Sequence, residues 1–152
     1  MAAQPTTLHA SAVLVGARAV LIRGPSGSGK SRLAFELIEA GRTGALRFAR
    51  LVADDRVYLE TANGRLLARA AEPLAGLIEV RGVGLLRIAY EPNAVVGLVI
   101  DLGAVDVARL PDAEQLKAEI SGIALPRLAV AADGAALPRV LALLNSSQQS
   151  WI

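Results

Sequence analysis

The chain has 152 residues, a formal net charge of +2, 53% hydrophobic but only 3% aromatic residues, and no cysteine. That length suits one domain with a single continuous aliphatic core, and the lack of cysteine excludes disulfides and thiolate chemistry. A charge this small gives no argument for nucleic acid, and although mean hydropathy is positive, no window of about 18 residues is free of charge or turn signals, so no membrane span is expected.

The opening "MAAQPTTLHA" shows no basic stretch leading into an apolar one, so no signal peptide is read and a soluble cytoplasmic protein is expected. Residues 12–15 and 19–22 are apolar runs around "GAR" and predict a hairpin. "GPSGSGKS" follows at 24–31, and Ser31 to Ala40 then predicts a helix with Leu33, Ala34, Leu37 and Ile38 on one face and Gly41 as its C-terminal cap. Leu51 to Ala53 reads as a short buried strand running into Asp54 and Asp55. "VYLETANGRLLAR" carries Asn63-Gly64 between two strand-like arms, a hairpin signal. "LIEVRGVGLLRI" and "VVGLVIDLG" are further strands, "PDAEQLKAEISG" a short helix with Pro111 near its first turn, and Leu137 to Asn145 a closing helix. The tail from about residue 146 is expected to be loosely ordered. No linker or repeat divides the chain, so 1–152 is expected to be one α/β domain with a mixed sheet and few helices.

Gly24-x4-Gly29-Lys30-Ser31 matches the phosphate-binding P-loop in full, between a predicted strand and a predicted helix. Glycines let successive backbone N–H groups turn inward on phosphate oxygens, and the helix start adds its positive dipole end. Gly24, Pro25, Ser26, Gly27, Ser28, Gly29, Lys30 and Ser31 are therefore the expected nucleotide-binding residues, with Lys30 on the terminal phosphates and the Ser31 hydroxyl on Mg²⁺. Only Lys30 and Lys117 are lysines among sixteen basic residues, so a lysine at this position reads as a chemical requirement. No Asn/Thr-Lys-x-Asp guanine-reading segment is present, which favours ATP over GTP.

Asp54 and Asp55 would stand at the carboxyl end of a strand, the edge where ligands bind in open α/β sheets. Phosphoryl transfer to a hydroxyl needs one carboxylate to take the proton and acidic groups near the metal, although an ordinary exposed Asp-Asp turn has the same sequence. In "EVRGVG" the glycines at 82 and 84 suggest a bulge, and Glu79 with Arg81 could equally be an exposed ion pair. His9, the single histidine, reads in isolation as a surface residue.

Taken in order, "LHASAVLV", "AVLIRGPSGSGKSRLAFELIEAG", "RLVADDRVYL" and "LAGLIEVRGVGLLRI" resemble the kinase domain of the HPr kinase/phosphorylase family over roughly residues 7 to 110. The resemblance implies a P-loop domain similar to that of phosphoenolpyruvate carboxykinase. It also implies ATP- and Mg²⁺-dependent phosphorylation of a serine on HPr, the phosphocarrier of the sugar phosphotransferase system, with reversal by phosphate that releases pyrophosphate. By the same resemblance His9 is the family's catalytic histidine, Asp55 takes the acceptor serine's proton, and Asp54 supports it or the metal. Ser31 and Glu79 would hold Mg²⁺, and Arg109 in "VARLPD" would lie near the transferred phosphate. Longer members form hexamers, so a homo-oligomer is compatible with it. "RTGALRFAR" reads as an insertion, and the family's glycine-arginine-asparagine segment has no clear counterpart, which makes the kinase direction the primary expectation. The competing readings are another P-loop ATPase or small-molecule kinase, and an ATP-sensing module without catalysis.

Overall fold

A computed structural model describes residues 5–146. In chain order these form β1 (Thr6–Leu8), β2 (Ala10–Val15), β3 (Arg18–Arg23), α1 (Lys30–Thr43), β4 (Ala49–Ala53), β5 (Val57–Ala62), β6 (Arg65–Ala70), β7 (Leu77–Val80), β8 (Gly84–Arg87), β9 (Ala94–Leu102), β10 (Lys117–Ile120), β11 (Ile123–Val130) and α2 (Ala136–Leu144). Nine strands make one mixed sheet, with β7 and β8 a separate hairpin. The tail expected to be loose lies almost wholly outside the described residues. No described helix is long and apolar enough to cross a membrane.

Period-two alternation explains why the central strands read as unbroken apolar runs, because both of their faces are buried. Val13, Val20, Ile22, Leu98 and Ile100 pack with Leu33 and Leu37 of α1 and Val140 of α2 on one face. Ala12, Ala19, Leu21 and Val99 pack on the other face with Val57, Leu59 and Leu66 of the β5–β6 hairpin. That hairpin turns at Asn63 and Gly64, both with positive φ, as the sequence predicts.

Strand direction places the site. β3, β9 and β11 are mutually parallel. β4 is antiparallel to β2, and β2 is antiparallel to β3, so β4 runs with β3. The carboxyl ends of four strands, at Arg23, Ala53, Leu102 and Val130, therefore share one edge of the sheet.

Two expectations are corrected. Gly41 is not the helix cap: α1 continues to Thr43 and ends on Gly44 at φ 88°. Gly41 is needed within the helix, since a Cβ there would stand 2.8 Å from the Ala49 nitrogen and 2.9 Å from the Ala49 Cβ, where α1 crosses β4. Gly41→Ala is accordingly expected to lower the melting temperature, the clash costing about 1–3 kcal/mol and outweighing the roughly 1 kcal/mol that alanine gains in helix propensity. Nor is "PDAEQLKAEISG" a helix. A turn over 113–116 leads into β10, which pairs with β11 through Ser121-Gly122, at φ 52° and 80°. That tight turn and the cross-strand ladder outweigh the helix propensity of the segment. "LIEVRGVGLLRI" likewise folds back on itself as the β7–β8 hairpin.

Candidate active site

The loop 24–29 leaves β3 directly after Arg23 and enters α1 at Gly29, at φ 96°. Gly24 has no room for a side chain: a Cβ would lie 2.5 Å from Ser28 Oγ and 2.9 Å from the Leu102 carbonyl oxygen. The Ser28 N–H donates to the Pro25 carbonyl at 3.0 Å, which curls the loop. α1 has no side-chain cap and no acidic residue in its first turn, so its leading N–H groups stay available to an anion. Lys30 Nζ donates to the carbonyls of Gly24 at 2.9 Å and Pro25 at 3.2 Å, holding its ammonium over the loop. Ser28 Oγ is buried with no hydrogen-bond partner among the described residues. Free helical N–H groups, a buried hydroxyl and a lysine converge with no carboxylate in the loop itself, a donor set that fits a polyphosphate.

Asp54 is the hub of the site. Its side chain ends β4 on the shared edge and is 8% exposed. Oδ1 accepts the hydroxyls of Ser31 and Ser11, each at 2.7 Å, and Oδ2 accepts the Glu79 N–H at 3.1 Å. One carboxylate thus joins α1, β2, β4 and β7. Asp55 is exposed and left-handed at φ 66°, and its N–H donates to Ser11 Oγ at 3.4 Å. The two aspartates therefore divide: one is fixed against the P-loop serine and the other faces solvent. Among the described residues no three acidic or histidine side chains cluster as a metal cage. Mg²⁺ needs no such cage, since it binds through one or two protein oxygens together with phosphates and water, and Asp54 with Ser31 is a pair of that kind.

Of the other expected residues, only Glu79 is bonded to this hub among the described residues. The Glu79 backbone adjoins Asp54, while its side chain is exposed. His9 is exposed in the bend between β1 and β2; its neighbour Ala10 pairs with Arg23, which puts the histidine on the P-loop edge. Arg109 is exposed in the connection between β9 and β10.

The sequence reading missed Ser11 and a row of alternating charges, Arg23, Asp101, Arg127 and Asp106. Arg23 donates twice to Asp101, at 2.7 and 2.9 Å, and Arg127 Nε donates to Asp101 Oδ2 at 2.6 Å. Two further Arg127 bonds, at 2.9 and 3.0 Å, fork onto Asp106. Burial alone would raise the Asp101 pKa, but the hydrogen bonds and charges of Arg23 and Arg127 prevail and lower it. The Arg127 hydrogen bond is the main cause of a lowered pKa at Asp106. The available signal was a charged residue inside an apolar strand, as in "VIDLG" and "LPRLAV", because a half-buried charge needs a partner. Beside the loop lies an open cleft of about 290 Å³ lined by Pro25–Ser28, Leu102, Gly103 and Val130.

Residues 1–134 match the sequence family described as "HPr Serine kinase C-terminal domain". Proteins named HPr kinase/phosphorylase from Streptococcus pneumoniae, among them those of strains Hungary19A-6 and D39, are 35% identical over 141 residues, covering 84% of this chain. The chain spans 42% of the length of these curated relatives. The solved structure of the Hpr(Ser) kinase/phosphatase from Coxiella burnetii superposes with a TM-score of 0.72 at 26% identity, covering 91% of this chain and 93% of that one. Its mixed-sheet architecture with few helices is the one described above.

Proposed function

The chain belongs to the HPr serine kinase C-terminal domain family, and from that premise we propose that it transfers the terminal phosphoryl group of ATP to a serine of HPr in the cytoplasm. The observation that carries the proposal is the 2.7 Å bond between the P-loop hydroxyl of Ser31 and the buried carboxylate of Asp54, which puts a nucleotide loop and an acidic group on one sheet edge. The chemistry needs such a meeting. The serine oxygen bonds to the γ-phosphorus as the bond to the β–γ bridging oxygen breaks, ADP leaves with that electron pair, and a carboxylate takes the serine proton.

Each residue has a part in this scheme. The N–H groups of Gly27 to Ser31 grip the phosphates, and Lys30 exchanges its two carbonyl partners for phosphate oxygens. Ser31 and Asp54 would hold Mg²⁺, with Glu79 alongside; the ion supplies charge neutralisation when bound. Asp55, exposed beside the fixed Asp54, is free to meet an incoming hydroxyl and take its proton, and His9 on the same edge assists. The reverse reaction, attack of inorganic phosphate on phosphoserine to give pyrophosphate, would use the same groups with the proton returned.

Incubation with labelled ATP, Mg²⁺ and purified HPr is expected to place label on an HPr serine. Free phosphate released without HPr would instead identify an ATPase. Retained ATP binding with no turnover of any kind would identify a nucleotide sensor.

A further inference from the structure

The connection between β9 and β10 is neither a loose loop nor part of the core. It leaves β9 at Gly103, where a Cβ would already touch the Pro25 ring at 3.4 Å, so its root rests on the P-loop. The Ala104 N–H donates to the Val130 carbonyl at 3.0 Å. Beyond that, Arg127 controls the path. Its guanidinium grips both carboxylate oxygens of Asp106 and also donates to the Gln115 carbonyl at 3.0 Å. Gln115 closes the circle, donating from Nε2 to the Asp106 carbonyl at 2.6 Å and exchanging bonds with Asp112 at 2.9 and 3.0 Å. The tip between these anchors, residues 107–111, has no hydrogen bond of its own in the described structure. It carries Arg109 and Leu110, the latter 87% exposed. A segment tied at both ends and bare in the middle is built to present that middle.

We infer that Arg127 is a positioning residue whose fork on Asp106 and bond to Gln115 hold the 103–116 connection on the P-loop edge, so that Arg109 meets the phosphoryl-transfer centre in one fixed pose. The role of Arg109 rests on the proposed kinase function and on the resemblance that sets this arginine near the transferred phosphate, but the clamp itself does not. Arg127 sits on β11, one strand from β9 and two from β3, and Asp101 locks it to Arg23, the residue preceding the loop. The clamp is therefore braced against the strand that launches the P-loop. A lysine could supply the charge of Arg127 but not the planar fork that engages Asp106 and Asp101 together.

Two readouts test the clamp, using Asp106→Ala, which alters an exposed anchor outside the core, and Arg127→Lys. The first is amide hydrogen exchange without ligand. Both variants are expected to speed exchange at the hydrogen-bonded amides of Asp112, Gln115 and Leu116 at least about tenfold while leaving α1 unchanged. Unaltered exchange at these three amides would overturn the clamp. The second is a kinetic cycle with Arg109→Ala. Asp106→Ala is expected to lower kcat for HPr phosphorylation about tenfold with the ATP KM unchanged, and to add nothing on top of Arg109→Ala. Full additivity of the two substitutions, or a loss confined to the ATP KM, would overturn the positioning role. If the wild-type chain transfers nothing to HPr, the kinase reading fails, while exchange still decides for or against the clamp.

Discussion

Asp54→Ala is expected to unfold at a melting temperature roughly 10 °C below the parent and to lose phosphoryl transfer at least about 100-fold. The stability loss follows from what Asp54 leaves behind. Its removal strands the hydroxyls of Ser11 and Ser31 and the Glu79 N–H around a site that is 8% exposed, at a cost of about 3 kcal/mol in all. The activity loss follows from the same carboxylate being the acidic group fixed to the P-loop serine. Asp55→Asn is the matched contrast. Asparagine tolerates the left-handed φ of 66° and the site is exposed, so stability should change by less than about 0.5 kcal/mol. Transfer should still fall about 10²- to 10⁴-fold, the usual contribution of a positioned general base. Calorimetry and single-turnover transfer on both variants separate the roles. An Asp55→Asn enzyme with full activity would move the proton-accepting role to another group.

Lys30→Met should share the activity loss of Asp54→Ala but not its loss of stability. The ammonium holds only the carbonyls of Gly24 and Pro25, both on the partly exposed loop, so less than about 1 kcal/mol of stability is at stake. Transfer should fall about 10²- to 10³-fold, as expected on losing one charge aimed at the reacting phosphates. The rise in melting temperature produced by Mg²⁺-ATP should shrink as well, because ligand stabilisation follows affinity. Unchanged transfer in Lys30→Met would remove the P-loop from the chemistry altogether.

Much of this was legible in the sequence because the signals are local. Gly24 to Ser31 states its own backbone geometry, Asn63-Gly64 its own turn, and the unbroken apolar runs of β2 and β3 their two buried faces. The meeting of Asp54 with Ser31 could be expected only from the general rule about strand ends; its geometry depends on β4 running with β3 across an intervening antiparallel β2, a relation between segments distant in sequence. Segments whose conformation is set by neighbours were misread. Gly41 is a glycine because Ala49 crosses it inside the helix, not because the helix ends there, and 117–120 is extended because β11 lies beside it. The row from Arg23 to Asp106 showed only as charges inside apolar strands, and its pairing was hidden for the same reason, since its members are brought together only by β9 and β11.

The parallel pairing of β3 with β9 has a consequence for how the molecule comes into being. Arg23 and Asp101 are paired across 78 positions, so the strand that carries the P-loop gains β9 as a neighbour only after residues 94–102 exist, and β11 joins β9 only after residues 123–130 exist. During synthesis the ribosome thus releases the nucleotide loop long before the strands that seat it, and loop-closure entropy makes that late pairing slow. Until then the newborn chain exposes the apolar edge of β3, the state most prone to aggregate and most in need of chaperone shelter.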